Sequence, residues 1–444
     1  MLEEQDVRAL LEKVLGFSQA TQTEALFFGT ERSLTRFANN YIHQNVAETN
    51  TAVSVRAVLG NKIGVASTNK IDDEALRDVV KRALAIASVQ PENPEFKSLP
   101  GPQPVTPVNG YSEATAACGP EERARGVKVI VDRAVSRGYE AAGAFETAVQ
   151  QVAVANSLGV FAHHVGTEAE AHAVVMADAG GSGYAQRASM NVGAIDFEAM
   201  ATEAVGKAAK SRHPVELPVG EYRVVLDSYA VGEMLQYLAF MGLSALAVQE
   251  ERSFLNGHFG EPLAAESVTI YDDAFDPEGL PIAFDFEGVP KQRVPMIERG
   301  VARAVVYDSF TANREGKPNT GHALPAPNTF GPYPSNLMMA AGEASREDLF
   351  KGIERGVYVT RFHYCNVVHP VRTLFTGMTR DGTFLIERGE LTKPIKNLRF
   401  TQSILETLAA VEAIGKERLQ VRDYTNVVVP AIRSGTFNFT GLTQ

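Results

Sequence analysis

A chain of 444 residues is too long for one hydrophobic core, so two or three domains are expected. Hydrophobic residues make up 45% and charged residues 21%, the profile of a folded globular protein, which excludes a largely disordered or fibrous chain. A net charge of −11 without any block of lysines or arginines argues against a direct nucleic-acid partner, and no window is apolar enough to span a membrane.

Residues 3–16 carry Val7, Leu10, Leu11, Val14 and Leu15 at helical spacing and predict an opening helix. From Ala25 to Ala66 the pattern turns to strands. EALFFGT is one, SLTRFANNYIHQNV is read as a second, and Thr51–Val58 and Ile63–Ala66 form a hairpin around Gly60-Asn61. A helix follows over Asp72–Ala87, with acidic residues in its first turn. Residues 1–98 thus predict a domain of helices on an antiparallel sheet. Six prolines between Gln90 and Gly110 block both helix and central strand, which places a boundary there.

Residues 111–213 read as an α+β unit: a helix from Gly119 or Pro120 to about Arg137, three strands over 142–194, and a helix over Asp196–Ser211. The third unit, 218–444, reads as mostly antiparallel β with one long buried helix. The strand EYRVVLD leads into that helix, which Asp227 or Ser228 caps and in which Val231, Met234, Leu235 and Leu238 form an apolar face. Further strands are expected at SVTIYDD, PIAFDF, ARAVVYDS, GVYVTRFHYCNVV, LFTGMTRDGTFLIERGEL and NLRFT. Two more helices are expected, one opened by Ser345 and Asp348 and ending before Gly356, the other from Gln402 to about Ile414. The overall class is α+β.

Cys118 and Cys365 are too few and too far apart for a disulfide framework, which suits a reducing compartment. The acidic, amphipathic N-terminus is unlike a signal peptide, and a cytoplasmic protein is expected. His363, Cys365 and His369 form HxCxxxH; strand alternation would put the first two on one face, and a turn near Pro370 could add the third as a zinc ligand. Strand histidines more often pack or contact substrate. Adjacent His163 and His164 point to opposite faces of a strand. Glu233, on the polar side of the helix after Asp227, is the candidate catalytic base, against the ordinary reading of a solvated face.

Several strings together resemble the TldD/PmbA (TldE) family, known as modulators of DNA gyrase and as peptidases that mature or degrade small peptides. They are RFANNYIHQNV, AVSVRAVLGNKIGVAST, NTGHALPAPNTFGPYPSNLMMAAGEASREDLFKGIERGVYVTRF and MTRDGTFLIERGEL. In the TldD branch the helix after Asp227 carries His-Glu-x-x-x-His, and a cysteine before the Phe384–Glu387 string completes the metal site. Laid on this chain, the histidine positions are Gly232 and Tyr237, the glutamate is Glu233, and Met378–Asp381 hold no cysteine. The resemblance therefore implies a TldE-like subunit with no metal of its own, paired with a TldD-type metallopeptidase subunit or with itself as a dimer, and handling peptide substrates. Two alternatives stay open: an active peptidase with zinc at His363, Cys365 and His369, and a peptide-binding scaffold.

Overall fold

The computed structural model describes residues 1–422 and 425–442. The first half holds α1 (Glu4–Phe17), β1 (Gln22–Ala38), β2 (Tyr41–Leu59), β3 (Lys62–Thr68), α2 (Asp73–Val89), α3 (Glu113–Ala116), α4 (Pro120–Val135), β4 (Glu140–Asn156), β5 (Phe161–Met176), β6 (Ser182–Ser189) and α5 (Phe197–Lys210). The second holds β7 (Gly220–Leu226), α6 (Ser228–Gly242), α7 (Ala245–Gln249), β8 (Ile270–Asp272), β9 (Val294–Glu298), β10 (Val301–Ala302), α8 (Ser309–Glu315) and β11 (Asn336–Met339). It ends with β12 (Arg355–His369), β13 (Leu374–Glu387), β14 (Glu390–Pro394), β15 (Leu398–Ser403), α9 (Ile404–Ala409), β16 (Val411–Arg422) and β17 (Asn426–Leu442).

Helix starts follow their caps. Asp72 accepts from Ala75 N at 3.0 Å, Asp196 from Ala199 N at 2.9 Å, and Asp227 from Ser228 N at 2.8 Å, each satisfying a backbone donor at a helix start. Pro120 occupies the first turn of α4, where its missing N–H costs nothing.

Among the described residues the strands form two sheets. One has six strands in the order β3-β2-β1-β4-β5-β6 and is antiparallel throughout. It runs straight across the proline-rich linker, because β1 pairs with β4 from Glu24↔Asn156 to Phe37↔Gly143. Alternation along β1 sends Ala25 and Phe27 to one face and Leu26 and Phe28 to the other. The first face is covered by α1 and α2, and farther along the sheet by α4 and α5; the second meets Val105, Val108, Ala283 and Phe284. The second sheet has eleven strands, mostly antiparallel, with parallel pairings of β11 with β17 and of β12 with β7. α6 lies in the largest core: Val231, Met234, Leu235 and Leu238 are fully buried. Each such side chain contributes about 1.5–3 kcal/mol by leaving water.

Several expected elements differ. The segment read as one strand over SLTRFANNYIHQNV contains a tight turn, with Asn39 at φ 49° and Asn40 at φ 65°, and so joins β1 to β2. Both turn residues tolerate the left-handed conformation, which such two-residue hairpin loops require. The expected helix at Ser345 is a series of turns. Ser345 and Asp348 exchange the capping hydrogen bonds, at 3.1 and 3.2 Å, but Gly352 at φ 78° ends the segment before a helix can extend. Gly356, placed past that helix, is inside β12. The helix expected over Gln402–Ile414 is the six-residue α9, since the chain from Val411 pairs with β17. PIAFDF makes an isolated bridge, Phe284 to Pro290, and ARAVVYDS contributes only Ala302 to β10 and an isolated bridge from Val306 to Ser244.

Candidate functional site

The motif positions lie along α6, between β12, β16 and β17. Gly232 faces Val421 and Val427, and a Cβ added there would sit 3.0–3.1 Å from their side chains. Both valines are core residues, so any side chain at this position would have to displace well-packed neighbours. Tyr237 is partly buried, its ring near Phe375 at 6.1 Å, and its hydroxyl donates to the Cys365 carbonyl at 2.6 Å. Glu233 is half-buried, while Gln236 on the same side is buried. Tyr237 therefore ties α6 to β12, a structural task in place of ligation.

HxCxxxH does not form a ligand set. Tyr364 has φ 51°, and the pairing of β12 with β13 is irregular between His363 and Asn366, which interrupts the alternation on which the sequence reading relied. The Cys365 thiol is buried against Gly377, whose added Cβ would lie 2.6 Å from the sulfur. His363 is half-buried beside Tyr364, and His369 is exposed. Among the described residues no three His, Cys, Asp or Glu side chains converge in a manner that could hold a metal ion. The donors that zinc takes, thiolate, imidazole and carboxylate, are thus not assembled at α6 or at β12.

Instead the structure concentrates charge where the six-stranded sheet meets the second half of the chain. Glu24 on β1 and Arg56 on β2 are cross-strand partners, with the Arg56 guanidinium 2.6 Å from Glu24 and 3.0 Å from Glu287. Glu287 also accepts from Ser309 N at 3.1 Å, at the start of α8, which Asp308 caps. Arg56, Glu287 and Asp308 line a cavity of about 430 Å³ whose apolar walls include Phe96, Leu246 and Phe310. Burial pushes Glu24 up to about 7 and the Glu287 carboxylate adds to this, against the pull of Arg56. The folded state therefore keeps a proton that the unfolded chain releases above about 4.5. Stability contributed by this group is complete below that value and is lost as the pH rises towards 7. Urea denaturation of Glu24→Gln at stepped pH is expected to show a flatter pH dependence over that window than the parent; an unchanged slope would assign the titration elsewhere.

A second buried network joins α5 to α6. Lys207 lies 2.8 Å from Glu203 and 3.1 Å from Asp227, the cap of α6; Arg187 lies 2.9 Å from Glu203, and the Tyr358 hydroxyl donates to Asp227. These charged residues were not legible as buried, because Lys207 and Glu203 read as an ordinary i, i+4 surface pair on a helix.

Comparison with known proteins places the chain. Models of the PmbA/TldA metallopeptidase match over three consecutive stretches: domain 1 at residues 23–87, the central domain at 115–212 and the C-terminal domain at 219–441. The chain belongs to the PmbA/TldD family. It is 25% identical over 387 residues to a metalloprotease TldD homolog of Haemophilus influenzae, covering 82% of this chain and 78% of that one. An uncharacterised protein of Methanocaldococcus jannaschii is 25% identical over 403 residues, covering 89% and 92%. The fold is that of TldE from Thermococcus kodakarensis, with a TM-score of 0.90 at 20% identity over 98% of this chain and 100% of that one. No helix among the described residues is long and apolar enough to cross a membrane.

Proposed function

We propose that this chain is a TldE-like subunit that pairs with a TldD-type metallopeptidase in the cytoplasm and serves in peptide maturation or breakdown without a catalytic metal of its own. The observation that carries this reading is Gly232: the position of the TldD branch's first histidine is a glycine, which has no side chain to ligate and is packed tightly against Val421 and Val427. A hydrolytic zinc needs about three protein ligands and an open position for water. With the second position given to Tyr237 and its hydroxyl used by the Cys365 carbonyl, Glu233 has no metal-bound water to deprotonate. The family membership and the metalloprotease names of the relatives supply the chemistry of the expected partner. This subunit would contribute chamber wall and peptide contacts.

The test is direct. The purified chain is expected to carry no stoichiometric zinc and to hydrolyse no peptide alone, while a pull-down from its native cell returns a protein with an intact His-Glu-x-x-x-His. One zinc per chain together with hydrolysis by this chain alone would overturn the proposal; recovery of the chain only with itself would favour a homo-dimeric scaffold.

A further inference from the structure

The inner face of the six-stranded sheet and the loops between residues 280 and 336 enclose a second cavity, of about 180 Å³. Its lining is apolar at Val152, Ile282, Phe284 and Phe286, and Lys291, Ser335 and Asn336 are among its polar residues, with Gln150, His164, Glu168 and Asp285. Lys291 is only 6% exposed. Its ammonium donates to Ser335 Oγ at 2.9 Å, and no described carboxylate comes within 4.0 Å of it. An ammonium has three donors, so two are left without a protein acceptor in a buried place.

The nearby acids are engaged elsewhere. Asp272 accepts from His322 Nε2 at 3.0 Å and Asn336 N at 2.7 Å; Asp285 accepts from the backbone N–H groups of Glu287, Val289 and Ala323 at 2.8–2.9 Å. Glu168, also on the cavity wall, lies 3.1 Å from Arg422. Burial pulls the Lys291 pKa down, while Asp272 and Asp285 work against the shift. A buried cation of this kind is costly unless a partner completes it. Lys207 shows the contrast: it is buried to a similar degree and has two carboxylates within 3.1 Å. A pocket that combines apolar wall with a buried cation holding free donors suits a ligand that joins an apolar group to a carboxylate.

We propose that this cavity binds the C-terminal carboxylate of a peptide, the carboxylate on the free donors of Lys291 beside Ser335 and the last side chain, an apolar one, against Val152, Phe284 and Phe286. The choice of a peptide as the carrier rests on the peptide-handling role proposed above. The carboxylate site itself does not, and is measurable on this chain alone.

The test uses the full chain with three probes: N-acetyl-alanyl-leucine, the same dipeptide as its C-terminal amide, and isovalerate. Titration calorimetry is expected to show saturable binding of the acid, at least tenfold weaker binding of the amide and of isovalerate, and loss of acid binding in Lys291→Met. NMR of ε-¹³C-labelled lysine in the unmodified chain gives a second readout, in which the Lys291 signal moves with the acid and not with the amide. Equal binding of acid and amide, undiminished binding by Lys291→Met, or no saturable binding of any probe up to about 10 mM, a free energy near the weakest specific interactions, would each overturn the site. Isovalerate binding as tightly as the dipeptide acid would overturn the peptide as its ligand. Carboxylate binding without a co-purifying metallopeptidase would count against the proposed partnership alone.

Discussion

Replacing Asp227 by alanine is expected to lower the unfolding free energy by about 3–5 kcal/mol, the cost of breaking a buried ion pair by removing one partner. Asp227 performs three tasks from one buried position: it caps α6 through Ser228 N at 2.8 Å, meets Lys207 at 3.1 Å and accepts from the Tyr358 hydroxyl. Without it Lys207 keeps only Glu203, which already serves Arg187. The cap accounts for about 1 kcal/mol of the loss.

The pH dependence follows with a definite sign. Burial works to raise the Asp227 pKa, but Lys207 and then Arg346 overcome it and hold the carboxyl at about 2, below its ordinary 3.8. Its contribution is therefore complete above 3.8 and lost as the pH falls towards 2. Denaturant titrations are expected to show a wide gap between parent and Asp227→Ala at neutral pH that narrows in acid. Lys207→Met should be destabilising too, and the double variant should cost less than the sum, because the two residues share one interaction. Additive losses would mean that the pair is not coupled.

The second large effect is expected at Gly232. Gly232→His places a Cβ 3.0–3.1 Å from Val421 and Val427 and then drives an imidazole into β16 and β17, whose paired backbones leave little freedom to retreat. Overpacking of this kind costs about 1–3 kcal/mol and more when the neighbours cannot shift. The double variant Gly232→His with Tyr237→His, which restores the spacing of the metal motif, also loses the hydroxyl bond to the Cys365 carbonyl. It is expected to melt below the parent and to bind no stoichiometric zinc. A double variant with the parent's melting temperature and one tightly held zinc would show that room for the site persists, and would weaken the case for a subunit that has lost it.

Much of the fold was legible where a local pattern is also the tertiary pattern. The helices over Asp73–Val89, Pro120–Val135 and Phe197–Lys210 were read within a few residues of their bounds, as was the start of Ser228–Gly242, because caps and three-and-four spacing act within one element. The Gly60-Asn61 turn was legible for the same reason, whereas Asn39-Asn40 was passed over within an apparently continuous strand. The tail from Val411 was misread as helix because its pairing partner lies in β17, and that register is not a local property.

The candidate site divides along the same line. That Gly232 cannot supply a ligand is a property of the residue, and the sequence alone determined it, as it determined the buried face of α6 and the missing cysteine near Met378. Whether HxCxxxH converges depended on Tyr364 at φ 51°, a backbone state no spacing reveals. That one sheet crosses the proline linker, and that Glu24, Arg56, Lys207 and Lys291 lie inside the molecule, was decided only by the tertiary structure. Charged side chains read as surface until distant segments close over them, and the free energy of a buried charge is set by partners far away in the chain.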